Sequence, residues 1–228
     1  SNSFCTLLCP SVRTRGRARL IVVQTEREPP PGPVHTMGWF DWFWGLLRVF
    51  GDTRKPRVIA FLGLDNAGKS TLLMRLSCDQ LKTVCPTLRP RLEDVRIGDA
   101  KVRVLDVGGI EHVRRHWPNV VADVNGVVFV VDATDMARID EAKAELHKLL
   151  RIEDLEAMPI VILGNKIDRP HAMTEDQLIA RLGVSGMTTG KETEPGKKGA
   201  RPMEVFMCSL VKKAGYPPAL HWLSRHLR

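Results

Sequence analysis

The chain has 228 residues, of which 43% are hydrophobic, and this is enough for one well-buried domain with shorter appended segments. Its net charge of +8 suggests nucleic acid as one class of binding partner to consider. Outside residues 37–50, however, no basic stripe interleaves with aromatic residues, so we expect no nucleic acid partner. The five cysteines have neither metal-ligand spacing nor an even-numbered framework, which argues against a zinc site and favours buried, reduced thiols at Cys78 and Cys208.

Residues 1–36 form a segment of unusual composition. They carry arginine at every second position from 13 to 19 and end in a proline cluster at 29–33. Two interpretations are open: an arginine-rich transit peptide, or an upstream or non-native extension ahead of a natural start at Met37. We favour the extension, and we expect disorder in either case.

Residues 37–50 contain three tryptophans and three phenylalanines in fourteen positions. A membrane-spanning helix needs about 20 apolar residues, so this segment is too short to cross a bilayer. Because tryptophan favours the headgroup region, we predict an amphipathic helix lying in an anionic membrane surface, with residues 37–55 as helix and linker. A helix packed permanently on the following domain is the alternative. Trp42 stands where a myristoylation signal needs serine or threonine, which excludes that modification.

Residues 56–228 alternate between strand-like and helix-like patterns and are predicted to form one domain. A turn at 97–100 joins the second and third strands as a hairpin, so one edge strand is expected to be antiparallel. Otherwise the alternation predicts an α/β fold, with a mostly parallel six-stranded sheet and helices on both faces. Residues 184–202 are predicted to be an exposed loop. Strands are predicted near 57–62, 92–97, 101–106, 126–131, 159–164 and 203–207, and helices near 69–79, 135–151, 174–182 and 216–227.

The segment Gly63–Ser70, called the phosphate loop below, fits the pattern Gly-x-x-x-x-Gly-Lys-Ser/Thr in full. It follows an apolar run and opens a helix, so that backbone N–H groups can face phosphate oxygens. Lys69 is expected to reach the β- and γ-phosphates, and the Ser70 hydroxyl to ligate Mg²⁺. The alternative, a chance glycine-rich turn, is disfavoured by the Lys-Ser ending and the preceding strand. The residues predicted to bind a nucleoside triphosphate here are Asp65, Asn66, Ala67, Gly68, Lys69, Ser70 and Thr71.

The base is indicated by a second strand end, where the apolar run 159–163 leads into Asn165, Lys166 and Asp168. In an open parallel sheet, ligands bind outside the carboxyl ends of the strands. A carboxylate at Asp168 accepts hydrogen bonds from the N1–H and the exocyclic amine of guanine, whereas adenine offers no such donor pair. These three residues, about a hundred positions after the phosphate loop, therefore predict a guanine nucleotide.

A third strand end lies between these motifs, at Asp106, and is followed by Gly108 and Gly109. An acidic residue at the end of the strand next to the phosphate loop is well placed to hold Mg²⁺ through water. The glycine pair lets the backbone, including Gly109, approach the γ-phosphate, so that the nucleotide state changes the shape of the loop. For this motif alone, a plain strand-end turn is the alternative.

With these motifs, residues 37–228 resemble a Sar-type small GTPase, from the ADP-ribosylation-factor-like group. The resemblance implies that Thr87 ligates Mg²⁺ only when a γ-phosphate is present. It also implies that Cys208, Ser209 and Leu210 form the loop over the guanine. The segments that carry the resemblance are 63–71, 86–90, 106–109, 165–170, 188–191 and 200–209, followed by Gly215 and Tyr216.

The same resemblance implies a cellular role. Sar-type proteins start COPII coat assembly and insert an N-terminal amphipathic helix into the membrane when GTP is bound. The implied partners are the COPII inner-coat subunits, whose arginine completes GTP hydrolysis, a membrane-bound guanine-nucleotide exchange factor, and the anionic membrane of the endoplasmic reticulum through residues 37–50. The implied location is the cytoplasmic face of that membrane and its exit sites, with a cytosolic pool in the GDP-bound state.

One position departs from the family pattern. After Gly109 the family has a histidine, and most small GTPases a glutamine, that orients the attacking water, but this chain has Ile110. Isoleucine neither donates nor accepts a hydrogen bond, so the change is expected to lower turnover and to spare affinity. His112, two residues on, is a candidate substitute, and Glu111 is a weaker one.

Two functional classes therefore remain open. The chain is either a working GTP hydrolase accelerated by a coat partner, or a GTP-gated membrane-binding module with weak or lost intrinsic hydrolysis. The two classes differ in the effect of Ile110 on hydrolysis. In the alternative, Ile110 only packs on the switch segment and catalysis comes from elsewhere. A kinase or ATPase with a phosphate loop is the third alternative.

Overall fold

The computed structural model describes residues 57–80, 87, 89–98, 100–193 and 201–227. The predictions for residues 1–36 and for the membrane helix and linker at 37–55 lie outside the described residues. The division of the chain at residues 36 and 55 therefore stays a prediction. Within the described residues, no helix combines the length and the apolar character that crossing a bilayer requires.

Six strands form one sheet in the order β2-β3-β1-β4-β5-β6. Only β2 and β3 pair antiparallel, and every other neighbouring pair is parallel. This confirms the predicted mostly parallel sheet with an antiparallel edge hairpin. The strands are β1 (Arg57–Leu62), β2 (Arg91–Ile97), β3 (Ala100–Asp106), β4 (Gly126–Asp132), β5 (Ile160–Asn165) and β6 (Met203–Met207).

The parallel register brings the predicted functional residues to one edge of the sheet. Phe61 of β1 pairs with Asp106 of β3, and Asp132 of β4 pairs with Asn165 of β5. Each of these polar residues is the last residue of its strand. Because the carboxyl ends of parallel strands meet at one edge, the three motifs found far apart in the sequence become neighbours.

The longer helices lie where the sequence predicts them, and two short ones were not predicted. The predicted helix at 135–151 begins later than expected, because side chains of Asp132 and Asp135 hold the preceding turn. Asp132 Oδ1 accepts from Thr134 N at 2.9 Å, and Asp135 Oδ1 from Arg138 N at 3.2 Å. The helices are α1 (Lys69–Cys78), α2 (Glu111–Arg114), α3 (Trp117–Val121), α4 (Ile139–Leu150), α5 (Glu175–Leu182) and α6 (Tyr216–His226), with a 3₁₀ turn at Glu153–Leu155.

Helices cover both faces of the sheet, as predicted. On one face, α1 and α6 pack Leu72 and Leu223 into a core that includes Phe61 and Val128 of the strands. Side chains alternate along a strand, so Phe129 points to the opposite face. There it meets Trp117 of α3 edge-on, with the ring centroids 6.1 Å apart. Both rings are fully buried, and such pairs stabilise a core by about 0.5–1.5 kcal/mol beyond their burial.

The loop predicted at 184–202 is described at residues 184–193 and 201–202, and most of the first part is exposed, as expected. Several hydrogen bonds fasten it to neighbouring elements, two of them from backbone or ring N–H groups to carbonyl oxygens. Thr189 N donates to Met203 O of β6 at 2.9 Å, and Trp222 Nε1 of α6 donates to Gly190 O at 3.3 Å. The loop therefore follows the edge of the domain instead of projecting from it.

One prediction about the cysteines is corrected by the structure. Cys78 was expected to be buried but is exposed, because it is the last residue of α1 and its side of the helix faces solvent. Cys208, the other cysteine expected to be buried, lies fully inside the domain. The apolar residues near Cys78 in the sequence therefore did not predict whether its side chain is buried, because the end of α1 is open to solvent on that side.

Candidate nucleotide site

The phosphate loop runs from β1 into α1, and its lysine is buried against the loop itself. Lys69 Nζ donates to Gly63 O and to Leu64 O, both at 2.8 Å, and the residue is 5% exposed. Burial lowers the pKa of Lys69 from 10.5 to about 8, although Asp106 and Asp65 act in the opposite direction. An ammonium group has three donors, so Lys69 retains one to direct at a phosphate oxygen.

The three predicted magnesium ligands are brought together. Ser70 Oγ donates to Asp106 Oδ2 at 2.6 Å and lies 2.8 Å from Thr87 Oγ1, which is itself 3.4 Å from the same carboxylate oxygen. Ser70 comes from the start of α1, Asp106 from the end of β3, and Thr87 from the segment before β2. Residues from three separate parts of the chain thus share one cluster of hydroxyl and carboxylate oxygens.

The chemistry of this cluster fits Mg²⁺. Asp106 is fully buried, and its Oδ1 has no hydrogen-bond partner among the described residues. Burial raises the pKa of Asp106, and the hydrogen bond from Ser70 and the charge of Lys69 partly offset this. A hard cation that binds oxygen ligands would compensate the unpartnered oxygen. Ser70, Thr87 and Asp106 are therefore the residues that would hold the metal.

Gly108 and Gly109 lie where the backbone after β3 passes closest to other chain segments. A Cβ at Gly109 would be 2.3 Å from Asp65 N and 2.4 Å from Gly63 O, inside the phosphate loop. A Cβ at Gly108 would be 2.2 Å from Thr87 O. Both approaches require glycine. The two segments that flank the β2–β3 hairpin thus meet each other and the phosphate loop.

The position after this glycine pair is Ile110, which precedes α2 as its N-cap with extended backbone, φ −68° and ψ 147°. Its carbonyl accepts from Val113 N at 2.9 Å, while its side chain is apolar and half-buried. His112 is exposed, and its ring lies edge-on to His116 with centroids 6.2 Å apart. The replacement of the missing water-orienting group by His112 stays a prediction.

At the base end, Asn165 links the phosphate loop to the loop after β6. Its Nδ2 donates to Ala67 O at 2.8 Å, and its Oδ1 accepts from Leu210 N at 3.3 Å. The residue is 3% exposed, so both ends of a buried amide are satisfied. Lys166 follows with a positive φ of 72° and pairs with Asp132 at 2.6 Å. The predicted residues Asn165 and Lys166 therefore hold the framework of the site together.

Asp168 is exposed, which suits a carboxylate that meets a ligand, and it is oriented by the loop after β6. Ser209 Oγ donates to Asp168 Oδ1 and accepts from Lys212 N at 3.0 Å. Cys208 is fully buried beside it, and burial, followed by the charge of Asp168, raises the pKa of the Cys208 thiol to about 12. The thiol therefore stays protonated and packs as an apolar group.

Sequence reasoning missed the charged residues that support this framework. Arg138 pairs with Asp65 of the phosphate loop at 3.1 Å and with Asp135 at 2.7 Å. The signal was available for Asp132, because it ends β4 at the same edge of the sheet as Asp106 and Asn165. No local pattern predicts the Arg138–Asp65 pair, since its partners are 73 positions apart.

Comparisons with known proteins agree with this geometry. The model of the ADP-ribosylation factor family matches residues 43–227. The small COPII coat GTPase SAR1 of Giardia intestinalis is 38% identical over 191 residues, covering 84% of this chain and 100% of that protein. The small COPII coat GTPase SAR1 of Nicotiana tabacum is 37% identical over 195 residues, covering 82% of this chain and 98% of the relative.

A solved structure with the same fold is that of the Arl6 BBS3 small GTPase from Trypanosoma brucei, with the nucleotide analogue GppNp bound. The TM-score is 0.63 at 25% identity, and the match covers 75% of this chain and 96% of that one. The fold, the site geometry and the sequence similarity lead to one conclusion. The chain belongs to the ADP-ribosylation factor family of small GTPases.

Proposed function

We propose that the chain is a GTP-operated switch that recruits the COPII coat to the membrane of the endoplasmic reticulum for vesicle budding. Family membership supports the general part of this proposal, because small GTPases bind GTP and GDP, usually with Mg²⁺, and hydrolyse GTP. The similarity to two SAR1 proteins named as small COPII coat GTPases supports the specific part.

The observation that carries the proposal is the meeting of both hairpin flanks at the phosphate loop. Thr87 before β2 lies against Gly108 and against Ser70 of the phosphate loop, and the backbone at Gly109 after β3 lies against residues 63–65. A γ-phosphate that attracts Thr87 and Gly109 would therefore act on both ends of the β2–β3 hairpin. Such a two-ended contact converts a local change of ligand into a movement of a whole element.

The residues that hold the nucleotide have separate tasks in this proposal. Lys69 neutralises the β- and γ-phosphates, and Asp168 and Asn165 hold and frame the guanine. Mg²⁺, held by Ser70, Thr87 and Asp106, would neutralise charge on the phosphates. Because the Thr87 hydroxyl already lies 2.8 Å from Ser70 Oγ, the segment before β2 needs no large movement to contribute a ligand.

The membrane and partner assignments rest on the sequence and the relatives. Residues 37–50, outside the described part of the chain, would insert into anionic membrane when GTP is bound. The proposed partners are the COPII inner-coat subunits, which would accelerate hydrolysis, and a membrane-bound exchange factor. The proposed location is the cytoplasmic face of the endoplasmic reticulum and its exit sites with GTP, and the cytosol with GDP.

Ile110 supports a second candidate, a GTP-gated membrane-binding module whose intrinsic hydrolysis is weak or lost. The side chain at this position supplies no group to orient water. The exposed His112 lies against His116. We propose a low intrinsic rate in both candidates, and they differ in whether a coat partner restores hydrolysis.

A flotation experiment with anionic liposomes tests the switch. The full chain loaded with a non-hydrolysable GTP analogue should float with liposomes and bring COPII inner-coat subunits with it, whereas the GDP-loaded chain should not. A chain lacking residues 37–50 should keep its nucleotide affinity and lose liposome binding. Liposome binding that is equal with GDP and with the GTP analogue would contradict the proposal.

Single-turnover hydrolysis of GTP, with and without inner-coat subunits, separates the two candidates. A working hydrolase should be slow alone and accelerated by the subunits. A binding module with lost hydrolysis should stay slow in both conditions. Both candidates assume that Ile110 makes intrinsic hydrolysis slow. A fast rate without any partner would contradict that assumption.

A further inference from the structure

The loop formed by residues 208–211, called the base loop below, is anchored to α1 by one buried arginine. Arg75 is 8% exposed. Its Nε donates to Leu210 O at 2.9 Å, and its Nη2 donates to Val211 O at 3.4 Å. Its Nη1 donates to the Asp79 carbonyl at 3.0 Å and pairs with the Asp79 carboxylate at 3.3 Å. All three guanidinium nitrogens therefore bind either the base loop or the end of α1.

Burial makes this arrangement costly to disturb. A buried guanidinium loses its hydration and must direct its donors at fixed acceptors, so its geometry is well defined. The carbonyl of Asp79 lies at the end of α1, where backbone acceptors lack partners within the helix. Lys213, just beyond the base loop, pairs with the Asp79 carboxylate. The base loop and its continuation are thus held at two points on the end of α1.

The other side of the base loop contacts the residues proposed to recognise guanine. Leu210 N donates to Asn165 Oδ1 at 3.3 Å, and Ser209 Oγ donates to Asp168 Oδ1. Leu210 is therefore held through its carbonyl by Arg75 and through its amide by Asn165. A displacement of Leu210 would move Ser209, the adjacent residue, and with it the hydrogen bond that orients Asp168.

We infer that Arg75 is a positioning residue for the guanine base, which it controls through the base loop and Asp168 without contacting the ligand. The inference rests on the guanine-nucleotide site proposed above. Since Arg75 is carried by the helix that begins with Lys69 and Ser70, it also ties the base loop to the element that binds the phosphates. Neither the phosphate-loop pattern nor the Asn-Lys-x-Asp motif assigns Arg75 a role.

The test compares Arg75→Met with a matched control, Arg201→Met. Arg201 donates to two backbone carbonyls with the same atoms, from Nε to Leu155 O at 2.9 Å and from Nη2 to Leu150 O at 3.1 Å. It precedes β6, at the end of the sheet opposite the site. Both substitutions remove an arginine that holds one chain segment to another. Of these two arginines, Arg75 is the one that holds the base loop.

Affinities for GDP and for inosine diphosphate are measured by competition with a fluorescent GDP, together with the melting temperature of the nucleotide-free protein. Inosine lacks the exocyclic amine, so the ratio of the two dissociation constants reports how well Asp168 is oriented. Arg75→Met should raise the dissociation constant for GDP about tenfold, the loss expected for one to two hydrogen bonds. It should also shrink the preference for GDP over inosine diphosphate.

Arg201→Met should lower the melting temperature and leave both the GDP affinity and the base preference as in the wild type. An Arg75→Met protein with an unchanged base preference would overturn the inference, whatever its melting temperature. Arg75→Lys offers a second measurement if the methionine variant does not fold. A lysine carries all its donors on one nitrogen, so it cannot reach both the Leu210 and the Asp79 carbonyls as the guanidinium of Arg75 does, and its base preference should lie below that of the wild type.

The phosphate end provides an internal check. The acceleration of GDP release by a magnesium chelator should be the same in wild type and Arg75→Met, because Ser70, Thr87 and Asp106 are untouched. A loss of the chelator effect in Arg75→Met would indicate general damage to the site and would overturn a role confined to the base. A wild-type chain that shows no preference for guanine would overturn the proposed function itself, which is a separate outcome.

Discussion

The base end and the phosphate end of the site are built in different ways. At the base end, each residue proposed to recognise guanine is fixed by another part of the chain: Asn165 by Ala67 and Leu210, and Asp168 by Ser209. At the phosphate end, Asp106 belongs to a cluster of oxygen atoms that could bind a metal ion. The backbone of Gly109 lies close to the phosphate loop. The next side chain, Ile110, has no polar atom, and the nearby His112 is exposed.

This difference predicts that nucleotide binding and GTP turnover can be changed separately in one site. Groups that hold the ground state and groups used only at the transition state contribute to different rate constants. The residues proposed to bind the base are fixed by partners within the chain, whereas Ile110, the first side chain after Gly109, has no group that could orient water. Each of the following substitutions acts on one end, and its effect on the other end is the control.

Asp168→Asn should have the largest effect, and it breaks the base end. In the proposed site, guanine directs two donors at this carboxylate, and a hydrogen bond to a charged group contributes about 1.5–3 kcal/mol. The substitution should therefore raise the dissociation constant for GDP about 100-fold or more, measured by displacement of a fluorescent GDP.

The same variant should bind xanthosine diphosphate better than the wild type does. Xanthine carries an oxygen in place of the exocyclic amine, and the side-chain amide that Asp168→Asn introduces can donate to it. Weaker binding of both nucleotides would show that the substitution disturbs the fold of the base loop. An unchanged GDP affinity would contradict the assignment of Asp168.

Ile110→His acts on the phosphate end and sharpens the comparison. A positioned histidine can orient the attacking water, and such groups contribute about 100-fold or more to a rate when well placed. We expect single-turnover GTP hydrolysis to rise about tenfold to 100-fold. The GDP affinity should change less than about twofold, within the range of a surface substitution.

Ile110→Ala is the matched control, because it removes the apolar side chain and adds no polar atom. It should hydrolyse GTP at the wild-type rate. An alanine variant as fast as the histidine variant would mean that Ile110 obstructs the site sterically. His112→Ala completes the series, since a lower rate in that variant would assign residual hydrolysis to His112.

Removal of Mg²⁺ tests the part of the phosphate end that is complete. A chelator should accelerate GDP release about tenfold, because the proposed metal would compensate charge on the phosphates and on the unpartnered Oδ1 of Asp106. In Asp106→Asn the chelator should have little further effect. Asp132→Asn is the matched control, a strand-end carboxylate that pairs with Lys166, and there the chelator effect should be retained.

Much of the fold and the binding site could be predicted because their signals are local. Most strands of the sheet are apolar runs, and β3, β4 and β5 end in a polar residue at the site. The rule that ligands bind at the carboxyl ends of parallel strands then places Ser70, Asp106 and Asn165 at one edge from the sequence alone. The phosphate loop adds a pattern whose spacing follows from its backbone geometry.

The rest depended on contacts that no local pattern contains. The start of α4 at Ile139 is delayed by the side chains of Asp132 and Asp135, which compete with the helix for backbone groups. The role of Arg75 depends on carbonyl groups 135 and 136 positions away. A buried arginine in an amphipathic helix gives no sequence signal, because its hydrogen-bond acceptors belong to another loop.

The Arg138–Asp65 pair, at the phosphate end, should give the smallest effect. It ties the phosphate loop to the segment before α4, with side chains 34% and 40% exposed. Ion pairs with this exposure contribute up to about 1 kcal/mol, so Arg138→Met should raise the dissociation constant for GDP no more than about fivefold. The difference should shrink as salt is added, because exposed charges are screened. A cycle with Asp65→Asn isolates the pair, since the double variant should bind GDP as well as the weaker single variant does. A larger loss of GDP affinity that does not shrink with added salt would mean that the position of the phosphate loop itself depends on Arg138. The phosphate end, like the base end, would then be held in place by a residue distant in the sequence.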